Sequence, residues 1–246
     1  VAAGQITLAP EVLGQAVTGT LEASMQLSGG EGQAKFDLIR IGDGPQGEII
    51  LDAAYSNATR VLKLDLVAEE DAEGIVVNLL GVPGKPSASL RVQGEGPVDA
   101  YLANVRLATD GAERLAGTVT VQAAPPSGYR MIADLAGDLA PVLAPDQVAV
   151  FGTDVALQLD ARREASGRTV VDRFDVTARS INLGGTAEIA ADGLPEAFDI
   201  TGTLADPDGS PVALPFVADT LVRRAEFHLK TEPGVDKGWT GEIAVD

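Results

Sequence analysis

The run Val17-Thr18-Gly19-Thr20-Leu21-Glu22-Ala23-Ser24-Met25-Gln26-Leu27 alternates small or apolar residues with polar ones without a miss. Period two predicts a strand with one greasy face and one wet face. The pattern recurs in Ala34, Phe36 and Leu38, in Ile49, Leu51, Ala53 and Tyr55, and in Leu62, Leu64, Leu66 and Ala68, with Lys35, Asp37, Lys63 and Asp65 between them. Ser28-Gly29-Gly30-Glu31-Gly32, Gly42-Asp43-Gly44-Pro45 and Ser56-Asn57 supply the turns, so the segment reads as a four-strand meander. Ile39 and Ile41 fall on the opposite parity, and a bulge is expected near Leu38.

Working outward, Gln5 to Ala9 is a short strand candidate ahead of Pro10 and Gly14. The alternation breaks at Glu69-Glu70-Asp71-Ala72-Glu73-Gly74. Carboxylates precede Ile75 to Leu80, and Gly81, Pro83 and Pro86 follow, which signals one or two helical turns; the β-formers Ile75 to Val77 keep a strand open as the rival. Strands resume around Leu90, Val105 and Val119, and Pro125-Pro126-Ser127-Gly128 turns the chain into Met131, Ala133 and Leu135. A second interruption spans Asp138 to Gly152, where Leu139 to Leu143 offers a helical turn. Beyond it come Val155 to Ala161, Phe174 to Ala178, Ala187 to Ala191 and Phe198 to Leu204. After the turn Asp206-Pro207-Asp208-Gly209 and a Pro-rich passage from Pro211 to Pro215, strands are expected at Leu221 to Leu229 and Trp239 to Val245, with Arg223 out of parity. The interruptions recur every 60 to 70 residues or so, after about four strands each, as in an array of one β unit. The sub-blocks are about 1–74, 75–137 and 138–246, with no independent domain boundary.

The 246 residues are 45% hydrophobic but only 4% aromatic, so Leu, Val, Ile and Ala carry the burial. A net charge of −18 argues against nucleic acid, whose phosphates need clustered Lys and Arg, and against lying on an anionic bilayer. With no cysteine there is no disulfide, thiolate metal site or Cys nucleophile. No run approaches the roughly 20 apolar residues of a membrane span. The chain opens on Val1 and its last strand reaches the final residues, so both ends are read as cuts within a longer protein, a processed complete domain being the alternative.

Chemistry is sparse. His228 is the only histidine, on the polar parity beside Glu226 and Lys230, and reads as a solvated strand residue. Asp206-Pro207-Asp208-Gly209 opens like a calcium loop, but Ser210, Pro211 and Val212 occupy the next positions and a plain turn is expected. The carboxylates Glu69 to Glu73 read as a solvated helix start, and Gly29-Gly30 and Gly184-Gly185 join strands and open no helix. There is no Gly-x-Ser-x-Gly elbow paired with a histidine. The expectation is a protein that is not an enzyme, without catalytic residues, metal or cofactor.

The fold class expected is all-β, a long curled antiparallel sheet with short helical interruptions. About fourteen strands at roughly 4.8 Å each would give a sheet near 65 Å long, and native twist would roll it into a trough with the apolar parity inside. That parity then offers Leu21, Met25, Phe36, Leu38, Leu64, Leu66, Leu90, Val105, Val119, Leu157 and Val176 as the lining of a lipid groove. In an ordinary sandwich the same residues would be plain core, and this alternative stands beside the first.

The phrases Ile75-Val76-Val77-Asn78-Leu79-Leu80-Gly81-Val82-Pro83-Gly84-Lys85-Pro86, Ala88-Ser89-Leu90, Gly94-Glu95-Gly96-Pro97-Val98-Asp99-Ala100-Tyr101 and Leu107-Ala108-Thr109-Asp110-Gly111 resemble the repeated β region of the TamB family, its alphaproteobacterial members in particular. The likeness in wording is confined to about residues 62–121. It implies a periplasmic segment of a Gram-negative, inner-membrane-anchored translocation and assembly protein, related to AsmA-like and repeating β-groove lipid-transfer proteins. It further implies phospholipid acyl chains as cargo, a role in outer-membrane protein assembly, and an outer-membrane barrel partner of the Omp85 class (TamA-like), reached through parts of the protein outside this segment. A scaffold lending a sheet edge to unfolded outer-membrane strands is the rival reading, and a closed sandwich module the third.

Overall fold

A buried strand backbone needs hydrogen-bonding partners, and from the first strand to the thirteenth each finds them in its neighbours in sequence. The computed structural model describes residues 2–8, 17–124, 128–213, 220–231 and 239–245. Strand makes up 67%, in an antiparallel sheet that does not close on itself, with short helices between strand blocks. This is the fold class expected from the alternation. Ala9, Pro10, Gly14, the Pro125-Pro126-Ser127 turn and the end of the Pro-rich passage at Pro215 lie outside the described residues. The chain forms two compact units, Val1–Thr118 and Val119–Asp246.

The first unit holds β1 (Ala2–Leu8), β2 (Val17–Ser28), β3 (Glu31–Arg40), β4 (Gly47–Ser56), β5 (Val61–Glu70), α1 (Ile75–Leu79), β6 (Ala88–Pro97) and β7 (Ala100–Thr109). The strands neighbour one another in chain order. The division between the units falls within β8 (Ala112–Ala123), a stretch with no Pro or turn signal to announce it. Of the two readings open for Ile75 to Leu80, the helix is the observed one. The expected bulge near Leu38 is absent: β3 pairs residue for residue with β2 from Glu31 to Arg40 and with β4 from Glu31 to Ile39. Ile39 therefore faces the polar side, 41% exposed, and the parity of Leu38 runs on to Arg40.

The second unit continues with β9 (Gly128–Gly137), a 3-10 turn (Ala140–Val142), α2 (Pro145–Phe151), β10 (Val155–Glu164), β11 (Thr169–Thr177), β12 (Ile181–Ile189) and β13 (Pro195–Ala205). A small hairpin of β14 (Val212–Ala213) and β15 (Leu221–Val222) follows, and then β16 (Arg224–Thr231) and β17 (Trp239–Val245). β16 returns to pair with β13. The single strand expected over Leu221 to Leu229 is thus two, broken at Arg223, which accounts for that residue's wrong parity. The second interruption carries α2 in addition to the expected turn of helix. Val150 of α2 and Val212 and Val222 of the hairpin pack with Val155, Ala178, Ile181, Leu204 and Ala225 in a dense core of this unit.

Close strand approach makes Gly185 obligatory in β12, because a Cβ there would stand 2.1 Å from the Asp199 carbonyl oxygen and 2.9 Å from Ile200 Cα. Gly185→Val should lower stability by about 1–3 kcal/mol through forced backbone shifts, read as a fall in Tm of several degrees.

On the wet face of this unit Arg130 donates from Nε to Asp160 at 2.6 Å, and Arg162 grips Asp172 through Nε and Nη2. The hydrogen bond from Arg130 holds the Asp160 carboxyl below its ordinary 3.8, and Arg162 does the same for Asp172. A depressed folded value means that the contribution to stability is present above 3.8 and is lost as pH falls through the folded value. The Tm deficit of Asp160→Asn should therefore be full at neutral pH and shrink once pH drops below 3.8; a deficit constant into stronger acid would contradict the pairing.

Candidate functional site

Register converts the alternation of each strand into rows that run across strands. In the first unit one row is Leu21, Leu38, Ile49, Ala68, Leu90 and Leu107, the next Ala23, Phe36, Leu51, Leu66, Val92 and Val105, and the third Met25, Ala34, Ala53, Leu64, Gly94 and Ala103. The opposite face carries charge: Lys35 pairs with Asp52 at 2.9 Å, Lys63 with Glu95 at 3.8 Å and Arg91 with Glu69 at 3.9 Å. Exposed pairs of this kind add little stability, but they mark that face as wet.

The structure brings the expected lining residues together within each unit. Leu21, Met25, Phe36, Leu38, Leu64, Leu66, Leu90 and Val105 share the apolar rows of the first unit. In the second, Leu157 and Val176 are direct cross-strand partners, in a row with Leu135, Leu183, Gly202, Phe227 and Ile243. Val119 sits half-buried on β8. None of the eleven is fully buried; Met25 is 74% exposed and the other ten are half-buried. Val77 of α1, by contrast, is 2% exposed. A row under a second layer looks like Val155, Ile181, Leu204 and Ala225; in the three rows of the first unit only Ala103 is as buried.

α1 closes one end of the first unit's face. The Glu70 carboxylate, on the apolar parity of β5, accepts hydrogen bonds from the backbone N–H of Ile75 and of Val76, the latter at 2.8 Å, and so caps a helix whose N-cap Gly74 has no side chain to do it. Asn78 Nδ2 donates back to the carbonyls of Glu73 and Gly74. Beneath the helix lies a cavity of about 410 Å³, lined by Ile75 and Val76 from above and by Leu38, Ile49, Leu90 and Leu107 from the sheet. That size is within the roughly 300–1,000 Å³ typical of small-ligand sites. In the first unit the Tyr101 ring lies over Gly94, and in the second the Phe227 ring lies over Gly202, each aromatic filling the space that a missing side chain leaves. The Tyr101 hydroxyl is buried without a partner, and burial pushes its titration up.

His228 and the turn at residues 206–209 are engaged in ion pairs. His228 Nε2 lies 2.7 Å from Asp199 Oδ1, and Lys230 Nζ lies 3.0 Å from Oδ2; Lys230 first and His228 second hold the Asp199 carboxyl below its usual range. The Asp206-Pro207-Asp208-Gly209 turn is occupied by Arg179, which reaches Asp206 at 3.1 Å and Asp208 at 2.9 Å. Among the described residues no group of three or more His, Cys, Asp or Glu side chains could hold a metal, and no helix is long and apolar enough to cross a membrane.

Two features went unread in the sequence, the cavity under α1 and the place of Arg40 on the groove parity. Counting on from Leu38 without a bulge would have found the second. Comparison with protein-family models, curated proteins and solved structures finds no match to this chain.

If Glu70 anchors α1, Glu70→Ala should cost about 1 kcal/mol, as the loss of a helix cap does, and should speed amide exchange at residues 75–80 while β2 to β4 keep their protection. Unchanged exchange in the helix would contradict that role.

Proposed function

We propose that this chain is a non-enzymatic segment of a lipid conduit, in which each unit offers one apolar sheet face to phospholipid acyl chains while head groups stay in water at the open side. One observation carries the reading: rows free of charged side chains and largely aliphatic run from β2 to β7, with Leu64, Leu66, Leu90 and Val105 half-buried and no second sheet among the described residues of that unit laid over them. Each methylene moved from water onto such a face is worth about 0.8 kcal/mol. Along the middle row no polar group fixes a tail, so a chain can shift by a strand with little change in energy. The likeness to the TamB family supports placing the segment in the periplasm of a Gram-negative cell, within an inner-membrane-anchored protein that moves phospholipid towards the outer membrane and serves outer-membrane protein assembly with an Omp85-class barrel.

Leu64→Arg places a charge in the third row. Native mass spectrometry of the purified 246-residue chain should find phospholipid bound to the wild type and at least tenfold less on the variant, in line with the cost of setting a charge among apolar groups. A wild-type chain that carries no lipid would make the rows plain core or a scaffold surface.

A further inference from the structure

Arg40 and Glu70 are the only charged residues on the groove parity of β2 to β7, and they differ in one respect. The Glu70 carboxylate is taken up by the backbone of α1. Arg40 forms no ion pair among the described residues, and its Nη1 is shielded from solvent without any acceptor. Lys85, Arg114, Arg163 and Arg223 also form no ion pair among the described residues, but of these cations Arg40 alone has a buried nitrogen without an acceptor. A guanidinium presents five donors in a planar fork suited to phosphate, and leaving a buried one unsatisfied is costly.

Its surroundings are those of a head-group pocket. Arg40 lines the cavity under α1 together with Leu38, Ile49, Leu90 and Leu107. Gly19, directly across on β2, and Gly47, at the start of β4, bring no side chain of their own to the same cavity, while Glu48, Glu69 and the α1-capping Glu70 supply its acidic lining. The Gly42–Pro45 turn gives the guanidinium a glycine neighbour as well, since a Cβ at Gly44 would come within 3.3 Å of Nη2. Cation, apolar walls and open space thus converge where the first row ends.

We infer that Arg40 is the anion-binding residue of the groove: the phosphate of an anionic phospholipid seats on its guanidinium, with one acyl chain entering the cavity beneath α1. This rests on the lipid-conduit reading and adds to it a fixed point at which the lipid is held by its head group.

The test offers the 246-residue chain equal amounts of phosphatidylglycerol and of diacylglycerol with the same tails, in a neutral maltoside detergent, and counts bound molecules by native mass spectrometry. Phosphatidylglycerol should be preferred by about tenfold or more on the wild type, the equivalent of one charge-assisted hydrogen bond. Arg40→Gln should bring the ratio close to one, and Arg40→Lys should restore part of it; circular dichroism melts verify that both variants are folded. Equal uptake by the wild type, or a preference that survives in Arg40→Gln, overturns the role of Arg40 and leaves the groove standing. Uptake of neither lipid by the wild type overturns the groove and this inference with it.

Discussion

Cross-strand register is the constraint from which the rest of each unit follows. A strand that alternates has two faces, but those faces become surfaces only if every neighbour is aligned in phase, because a shift by one residue sends each side chain to the other side. From β2 to β7 the pairing runs without a slip, and so Leu38 stands beside Ile49, Leu51 beside Leu66, and Leu90 beside Leu107. The second unit tolerates irregularities at Asp160/Ala161 and Val171/Phe174, yet it keeps phase where Val176 stands between Leu157 and Leu183. The apolar face is thus a product of hydrogen bonding between backbones as much as of hydrophobic side chains.

Helices act on this surface at its margins. α1 and α2 are too short to be stable alone, and each is held by the sheet it covers: α1 by Glu70 and the burial of Val77, α2 by Val150 within the cluster of Val155, Ile181 and Leu204. The outcomes differ. Under α2 the row is filled by the protein's own side chains, assisted by the β14–β15 hairpin, whereas under α1 a cavity remains. Where a lining is completed from within, as under α2, nothing is left for a guest; the proposed function belongs to the uncovered rows and to the cavity that α1 leaves.

Much of this was legible in the residues. Period two and glycine-bearing turns identify β2 to β5 nearly to the residue, and carboxylates ahead of Ile75 with Gly81 and Pro83 behind point to α1. What escaped has physical reasons. The polar-side isoleucines Ile39 and Ile50 are hydrophobic by type but face outward, so a count of apolar residues mistook one of them for a change of phase and passed over Arg40. α2 begins at Pro145 with Ala144 as its N-cap, and neither helix announces itself by an Asp, Ser or Thr cap. Arg223 lies at a break between strands that only pairing partners reveal. The partner of His228 is Asp199, 29 residues away, and no local reading supplies it.

The charged pairs on the wet side have a consequence that their modest energy hides. Alternation forbids a sliding error of one position, yet it is blind to an error of two, which returns every leucine to the correct side. Lys35 opposite Asp52 and Lys63 opposite Glu95 are not blind to it, since displacement by two would set those lysines against different partners. The grease chooses which way a strand faces, and the ions, acting as a vernier, choose which of the same-facing alignments the growing sheet keeps.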